Sequence, residues 1–139
     1  MTQHNVLLVE DNPDDELLAL RVIRKSDPLC DVSVARDGVE ACSLLEKLPD
    51  DRLPDLILLD LKLPKVNGIE VLRFIRQNRR TRLLPVVVFT SSGEGRDVTA
   101  VYELAGNSYV RKPVDFREFS DTVRKICSYW LDENIPPLA

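Results

Sequence analysis

Three short apolar runs constrain the fold of this 139-residue chain more than any other feature. They are Val6–Val9, Leu56–Leu59 and Val86–Phe89, and each is flanked by polar residues or proline. Continuous apolar runs of this length are typical of strands that are covered on both faces, as in parallel sheets. Two weaker segments, Cys30–Arg36 and Asn107–Val110, are partly polar and are predicted to be edge strands.

Helical patterns lie between these strands. In the first, Asn12 is a candidate N-cap, Pro13 takes the first helical position, and the acids at 14–16 occupy the first turn, where they favour the positive end of a helix. Gly106 stands at the position expected for the glycine that ends the fourth helix. The last helix carries an apolar stripe that consists of Phe116, Phe119, Val123, Ile126 and Trp130.

The alternation of strands and helices predicts the fold class. We expect an α/β fold: a doubly wound, five-stranded parallel sheet in the order 2-1-3-4-5, with helices on both faces in the flavodoxin-like arrangement. Residues 1–131 are predicted to form this one domain. Residues 132–139, which include Pro136 and Pro137, are predicted to form a C-terminal tail.

Charge and composition exclude several classes of function. The 19 basic and 23 acidic residues give a net charge of −4, which argues against a nucleic-acid or anionic-membrane partner. No apolar stretch approaches the roughly 18 residues of a spanning helix, and the N-terminus has no secretory pattern, so a cytoplasmic protein is expected.

The single histidine, His4, excludes histidine-based catalysis, and Cys30, Cys42 and Cys127 form no metal-binding pattern. Five arginines between residues 73 and 82 form either a nucleic-acid patch or a solvated helix end, and the acidic charge favours the second.

Acidic side chains follow two strands that the predicted order places side by side. Glu10 and Asp11 follow the first strand, and Asp60 follows the third. Ligands of open α/β sheets bind at the carboxyl ends of the strands where the strand order reverses, and neighbouring strands lie about 4.8 Å apart. Carboxylates this close repel one another unless a proton or a cation lies between them. Oxygen ligands with room for water favour Mg²⁺, so the sequence predicts a magnesium site at this edge.

Two further strand ends bring complementary groups to the same edge. Thr90 follows the fourth strand and offers a hydroxyl donor, and Lys112 follows the fifth strand and offers a cation. A metal, a carboxylate, a hydroxyl and a lysine together form a pocket for a phosphoryl group, whose phosphorus the carboxylate can attack in line. Each residue alone would be an ordinary cap, turn or surface residue, but their convergence favours the functional interpretation.

Four motifs in this set resemble those of two-component response-regulator receiver domains. They are Glu10-Asp11-Asn12, the segment 60–64 followed by Asn67-Gly68, Thr90-Ser91-Ser92, and Lys112-Pro113. The resemblance extends from about Val6 to Trp130. It implies the receiver fold and a phosphoacceptor signalling protein, rather than an enzyme that acts on a separate substrate.

The resemblance implies which residues hold the phosphoryl group and the metal. Asp60 would accept a phosphoryl group from the phosphohistidine of a histidine kinase. Mg²⁺ would be bound by Asp11, Asp60 and the backbone carbonyl of Lys62, with Glu10 bound directly or through water. Lys62 and Ser92 would occupy the positions that tune the lifetime of the phosphorylated state.

The resemblance also implies a conformational switch. Lys112 would pair with the phosphoryl group, Thr90 would move to donate a hydrogen bond to it, and Tyr109 would swing inward. The Lys112–Pro113 peptide bond would be cis. The responding surface would be the loop after the fourth strand, together with the fourth helix and the fifth strand.

A narrower resemblance is to the single-domain regulators that partner bacterial phytochromes. It rests on Glu10–Pro13, Asp37–Ala41, Leu63–Gly68 and Lys112–Asp115, together with the late segment Tyr129–Leu131. It implies a sensor histidine kinase, with a bacteriophytochrome among the candidates, or a phosphotransfer protein as the partner. Because residues 132–139 are too few for an output domain, the signal is expected to leave through protein contacts. The apolar stripe of the last helix is longer than one sheet face requires, so it forms either core and C-terminal packing or part of a contact surface. A homodimer through the fourth helix, fifth strand and fifth helix is predicted.

Four alternatives share parts of this pattern. A flavin-binding flavodoxin would need a first loop rich in hydroxyl groups and glycine, whereas Glu10–Pro13 would repel a phosphate. A haloacid-dehalogenase-type phosphatase needs a second acid two residues after the nucleophile, where this chain has Lys62. A phosphorylation-independent scaffold would keep the fold without needing every pocket group. A phosphorelay shuttle and a terminal switch would share all of these residues.

Overall fold

Strands and helices alternate along the chain in the computed structural model, which describes residues 3–137. The strands are β1 (Asn5–Val9), β2 (Asp31–Ala35), β3 (Leu56–Leu59), β4 (Val86–Thr90) and β5 (Ser108–Arg111). The helices are α1 (Pro13–Ser26), α2 (Gly38–Lys47), α3 (Gly68–Gln77), α4 (Gly95–Glu103) and α5 (Phe116–Cys127), with a 3₁₀ turn at Asp50–Arg52 and a π-helical turn at Ser128–Glu133. Within residues 3–137, none of the helices combines the length and apolarity needed to cross a bilayer.

The five strands form one parallel sheet in the order β2-β1-β3-β4-β5, which confirms the predicted fold class. The three continuous apolar runs lie in β1, β3 and β4, and the two weaker segments form the edge strands β2 and β5. Val9 pairs with Leu59 in the register of β1 and β3. The residues that follow them, Glu10 and Asp60, therefore leave the sheet side by side where the strand order reverses.

Helices cover the sheet on both faces, which explains the continuous apolar strands. On one face, α1 and α5 bury Ala19, Ile23, Phe119, Val123 and Ile126. On the other face, α2, α3 and α4 bury Ala41, Leu45, Val71, Leu72, Ile75 and Val101. Successive residues of β1, β3 and β4 point alternately into these two layers, so both sides of each strand must be apolar.

The start of α1 matches the prediction. The Asn12 side chain accepts hydrogen bonds from the backbone N–H groups of Asp14 and Asp15, at 2.9 and 3.1 Å, and Pro13 is the first helical residue. This cap fixes the direction in which α1 leaves the carboxyl edge of the sheet.

The end of α4 differs from the prediction. α4 ends at Glu103, and the left-handed residue is Ala105, with φ of 61°, rather than Gly106. The shift arises because the N–H groups of Ala105 and Gly106 donate to the carbonyls of Tyr102 and Val101, at 3.0 and 2.9 Å. Gly106 is needed for another reason, since a Cβ there would lie 2.4 Å from Cγ1 of Val101.

The apolar stripe predicted for the last helix is buried only in part. Phe119, Val123 and Ile126 are buried in the core of the single chain, so these three side chains belong to the packing of α5 rather than to a contact surface. Phe116 is 63% exposed, because α5 begins at this residue, one turn before the first side chain that reaches the core. Trp130 is half-buried and lies in the π-helical turn after α5 rather than in the helix itself.

The predicted C-terminal tail begins inside the π-helical turn. This turn extends to Glu133, and the amide of Asn134 closes it by donating to the carbonyl of Tyr129 at 2.7 Å. The last two residues of the tail, Leu138 and Ala139, lie outside the described residues. The domain boundary at residue 131 stays a prediction.

Two of the five clustered arginines bind backbone carbonyl groups. Arg76 is half-buried, so the prediction of a solvated helix end is wrong for it, whereas Arg80 is exposed. Arg76 binds the α3–β4 and α4–β5 connections through the carbonyl oxygens of Arg82, Leu84 and Ala105. Arg80 binds carbonyl groups at the end of α2. Both guanidinium groups satisfy backbone acceptors that a helix end or a connection leaves free.

The Lys112–Pro113 peptide bond is trans, so the cis isomer implied by the resemblance is wrong for this structure. The trans isomer of an X–Pro bond is the lower in energy, by about 0.5–1 kcal/mol. The amide of Lys112 still donates to the carbonyl of Thr90 at 2.7 Å, which keeps Lys112 beside the end of β4.

Candidate functional site

The ends of β1 and β3 place Asp60 at the centre of the carboxyl edge. The amide of Asp60 donates to the carbonyl of Val9 at 3.0 Å, which holds the two strand ends together. Gly68, the first residue of α3, approaches so closely that a Cβ there would lie 2.3 Å from the carbonyl oxygen of Asp60. The glycine therefore lets the loop of residues 61–67 fold back onto the end of β3.

Asp60 is buried, with 5% of the residue exposed, and both of its carboxylate oxygens accept hydrogen bonds. Thr90 Oγ1 donates to Oδ1 at 2.7 Å, and the amide of Lys62 donates to the same oxygen at 3.2 Å. Lys112 Nζ donates to Oδ2 at 2.8 Å. The structure thus brings together three residues that the sequence analysis had placed at the ends of β3, β4 and β5.

Lys112 is the common cation of the site. Its ammonium group lies 2.7 Å from Glu10 Oε1, 2.8 Å from Asp60 Oδ2 and 2.9 Å from Asp15 Oδ2. The side chains of Lys112, Glu10 and Asp60 are almost fully buried, whereas that of Asp15 is 29% exposed. One ammonium therefore pairs with three carboxylates, two that follow β1 and β3 and one in the first turn of α1.

Asp15 is the site residue that the sequence analysis missed. It was assigned only to the first turn of α1, as an acid that favours the helix start. The Asn12 cap directs this turn over the carboxyl edge, so that Asp15 reaches Lys112. The sequence did contain a signal for Asp15. A helix that begins two residues after Glu10 and Asp11 must place part of its first turn above the same edge of the sheet as those acids.

Burial and charge act on the pKa values of this cluster in opposite directions. Burial raises the pKa of Glu10 to about 7, against the opposing effect of its hydrogen bond to Lys112. Burial alone would lower the pKa of Lys112, but the hydrogen bonds to Asp60, Glu10 and Asp15 outweigh it and hold that pKa above its ordinary value. Lys112 is therefore the permanent positive charge of the site.

Three carboxylates are placed to hold a cation. One oxygen each of Glu10, Asp11 and Asp60 lie within 4.8 Å of one another. Asp11 is exposed, and Oε2 of Glu10 accepts a hydrogen bond from the amide of Asn12 at 3.1 Å. An all-oxygen set that is open to water on one side fits a hard divalent ion such as Mg²⁺.

The loop after β4 connects the site to α4 and β5. The Tyr109 hydroxyl donates to the carbonyl of Ser92 at 2.7 Å, and the Ser92 hydroxyl donates to Asp97 Oδ2 at 2.5 Å. Tyr109 is half-buried against the core beneath α4, and this burial raises its pKa. Thr90, the last residue of β4, donates to Asp60, so hydrogen bonds connect the pocket to one end of this loop and connect the loop to α4 and β5.

The pocket is an open cleft of about 500 Å³. It is lined by Asp11, Asn12, Pro13, Asp15, Asp60, Lys62, Ser91 and Lys112. A larger cleft of about 690 Å³ lies at the opposite edge of the sheet, where Asp50, Asp55 and Arg80 are among its lining residues. The smaller cleft is the candidate site, because it alone of these two has a buried carboxylate held between a hydroxyl and a lysine.

Known proteins share this fold and much of this sequence. The family described as the response regulator receiver domain matches residues 6–124. The response regulator Rcp1 of Synechocystis is 39% identical over 137 residues, which cover 96% of this chain and 93% of that protein.

Two solved structures agree closely with the fold. The phosphorylated cyanobacterial phytochrome response regulator RcpA has a TM-score of 0.93 and 34% identity, covering 99% of this chain and 100% of that one. The Mn²⁺-bound form of Rcp1 has a TM-score of 0.89 and 38% identity, covering 97% of this chain and 99% of that one.

Proposed function

Because this chain belongs to the response regulator receiver domain family, we propose that Asp60 accepts a phosphoryl group from the phosphohistidine of a sensor histidine kinase. The observation that supports this most is the position of Asp60, which is buried with Thr90 on one oxygen and Lys112 on the other. The chain would catalyse only its own phosphotransfer and dephosphorylation, and would signal through the contacts that the phosphorylated form makes.

The proposed transfer is a displacement at phosphorus. A carboxylate oxygen of Asp60 forms a bond to phosphorus, and the phosphorus–nitrogen bond of the donor breaks with its electron pair staying on the imidazole. Lys112 donates to a phosphoryl oxygen and Thr90 to another, so that both neutralise developing charge. In the later hydrolysis, water attacks phosphorus, the bond to Asp60 breaks, and inorganic phosphate leaves.

Mg²⁺ is the proposed metal. Glu10, Asp11 and Asp60 would hold it, with the backbone carbonyl of Lys62 as a further ligand. The distances between the three carboxylates support this, as does the manganese reported for the Rcp1 structure. When bound, the ion would supply positive charge that brings phosphoryl oxygens to Asp60 and offsets the charge of the acids.

Thr90 and Tyr109 are the proposed switch residues. Phosphorylation brings three acceptor oxygens and a charge of about −1.5 to −2 to Asp60. Thr90 would exchange its bond to Asp60 for one to a phosphoryl oxygen, and this displacement would pull on the loop that the Tyr109 hydroxyl binds at Ser92. The response would thus pass to α4 and β5, with Ser92 and Lys62 tuning the lifetime of the phosphorylated state.

The proposed partners are proteins. The phytochrome regulators among the similar structures support a bacteriophytochrome kinase or a phosphotransfer protein as the donor, acting in the cytoplasm. A homodimer through α4, β5 and α5 is supported by Tyr102, which is 52% exposed on α4. Sedimentation at tens of micromolar tests this: the wild type should be a dimer and Tyr102→Asp a monomer, whereas a monomeric wild type contradicts it.

A phosphorylation-independent scaffold is the second candidate. It would have the same fold and the same protein contacts but would need no reactive carboxylate. The buried Asp60, which accepts hydrogen bonds at both oxygens, favours the phosphoacceptor, because a scaffold gains nothing from the cost of burying three charged groups here.

The test is phosphorylation by acetyl phosphate in the presence of Mg²⁺. We expect one phosphoryl group per wild-type chain, labile to hydroxylamine as an acyl phosphate is, and none on Asp60→Asn. Asp51→Asn is the matched control, because Asp51 is an exposed acid far from the site in the 3₁₀ turn. Retained labelling of Asp60→Asn would show that another residue is the acceptor, and absent labelling of the wild type would favour the scaffold.

A further inference from the structure

The proposed function leaves unexplained why a third carboxylate, Asp15, is paired with Lys112. Its Oδ2 lies 2.9 Å from Nζ, and the cap at Asn12 holds the first turn of α1 in the position that makes this contact. The neighbouring Asp14 is exposed and is not among the carboxylates that pair with Lys112 in the described part of the chain. Asp15 therefore has a specific partner rather than a general effect on the helix.

Three carboxylates surround the ammonium group of Lys112. This group has three N–H donors, and oxygens of Glu10, Asp60 and Asp15 lie 2.7, 2.8 and 2.9 Å from Nζ. A phosphoryl group on Asp60 carries its negative charge on its own oxygens and draws the same ammonium toward them, away from the other carboxylates. Of the two carboxylates that do not react, Asp15 can be released more easily, because its side chain is 29% exposed, against 4% for Glu10.

We propose that Asp15 is a competing counter-ion, which holds Lys112 while Asp60 is unmodified and releases it when a phosphoryl group arrives. Asp15 takes part in no bond that forms or breaks during the transfer. It is a positioning residue, and its effect is to lower the affinity of the pocket for a phosphoryl group. Water replaces Lys112 at Asp15 on release, whereas Glu10, buried beneath the pocket, keeps its hydrogen bond. This inference rests on the proposed function and adds a residue to it.

The test compares Asp15→Asn with Asp14→Asn. The two substitutions remove the same charge from the same helical turn, but only the first removes a partner of Lys112. The probe is beryllofluoride, a non-covalent mimic of the phosphoryl group, titrated at saturating Mg²⁺ and followed by calorimetry or fluorine NMR. Mg²⁺ binding is titrated separately, so that a change in metal affinity is not mistaken for one in anion affinity.

We expect Asp15→Asn to bind beryllofluoride about threefold to tenfold more tightly than the wild type, and its acyl phosphate to hydrolyse more slowly. Asp14→Asn should stay within twofold of the wild type. Asp15→Glu keeps the carboxylate on a longer side chain and should restore the weaker wild-type affinity, which a purely structural role would not predict.

Two results would overturn the inference, and they are distinguishable from each other. If Asp15→Asn binds beryllofluoride with the wild-type affinity or more weakly, Asp15 does not compete for Lys112, while phosphorylation of Asp60 stands. If wild-type protein binds no beryllofluoride and takes no label from acetyl phosphate, the proposed function fails and the inference fails with it.

Discussion

Replacing Lys112 by methionine tests the electrostatic account of the site directly. Methionine keeps much of the length and apolar surface of the lysine stem but removes its charge and its three donors. Glu10 and Asp60 would then lie buried side by side without their common cation, and Asp15 would lose its partner. The free energy of unfolding should fall most when no divalent ion is available to replace the ammonium.

The size of the effect follows from burial. Removing one partner of a buried ion pair costs about 3–5 kcal/mol, because a charge is left uncompensated. Two of the three pairs are almost fully buried, and the third, with Asp15, is partly exposed and contributes little. We therefore expect Lys112→Met to lose about 3–5 kcal/mol in EDTA, out of the roughly 5–15 kcal/mol of a typical domain.

Magnesium should recover part of this loss. The ion and the ammonium compete for Glu10 and Asp60, so the variant should bind Mg²⁺ more tightly than the wild type. If the variant binds Mg²⁺ tenfold more tightly, saturating Mg²⁺ stabilises it by about 1.4 kcal/mol more than it stabilises the wild type. Chemical denaturation in EDTA and in Mg²⁺ measures both quantities. Lys125→Met, an exposed lysine on α5, is the matched control and should change stability by less than about 0.5 kcal/mol.

Two outcomes would refute this reasoning. A loss below about 1 kcal/mol in EDTA would mean that the carboxylates do not depend on Lys112 for compensation. Equal stabilisation of wild type and variant by Mg²⁺ would mean that the ion and the lysine do not share the same acids. If Lys112→Met is too unstable to study, Lys112→Arg retains the charge and should lose less, while its bulkier planar group disturbs the hydrogen bonds.

Further predictions concern the α4 end and the thiols. Ala105→Gly should raise the free energy of unfolding by up to about 1 kcal/mol, because Ala105 is left-handed, whereas Gly106→Ala should lower it by about 2 kcal/mol or more, because the new Cβ would clash with Val101. Denaturant titration measures both, and equal signs would contradict the backbone assignment. Burial raises the pKa of Cys127 to about 12, so iodoacetamide at pH 8 should modify it only when the chain unfolds, whereas the half-buried Cys42 should react in the native state. Peptide mass spectrometry would reveal a contrary order of labelling.

The sheet and the centre of the site could be predicted because both depend on strand ends. A continuous run such as Leu56–Leu59 has few other structural interpretations, and in a parallel sheet the residue after each strand must reach the same edge. Asp60, Glu10, Thr90 and Lys112 therefore meet as expected.

Helix phase and helix ends could not be predicted in the same way. Asp15 was missed because its direction depends on how α1 leaves the sheet, which the cap at Asn12 decides. Phe116 continues the apolar pattern of α5 but is exposed, because periodicity does not show at which residue a helix begins to cover the sheet. Ala105 takes the left-handed position because the hydrogen bonds that close α4 place it there, despite the glycine that follows.

The sharing of Lys112 has a consequence for synthesis of the chain. Lys112 follows Asp15 by 97 residues and Asp60 by 52, so the ribosome makes the acids long before their cation. A nascent chain that lacks β5 carries three carboxylates without the ammonium that pairs with them in the folded chain. The ammonium joins this end of the sheet only after about four fifths of the polypeptide has been translated, and until then dissolved cations are the available counter-ions for these acids.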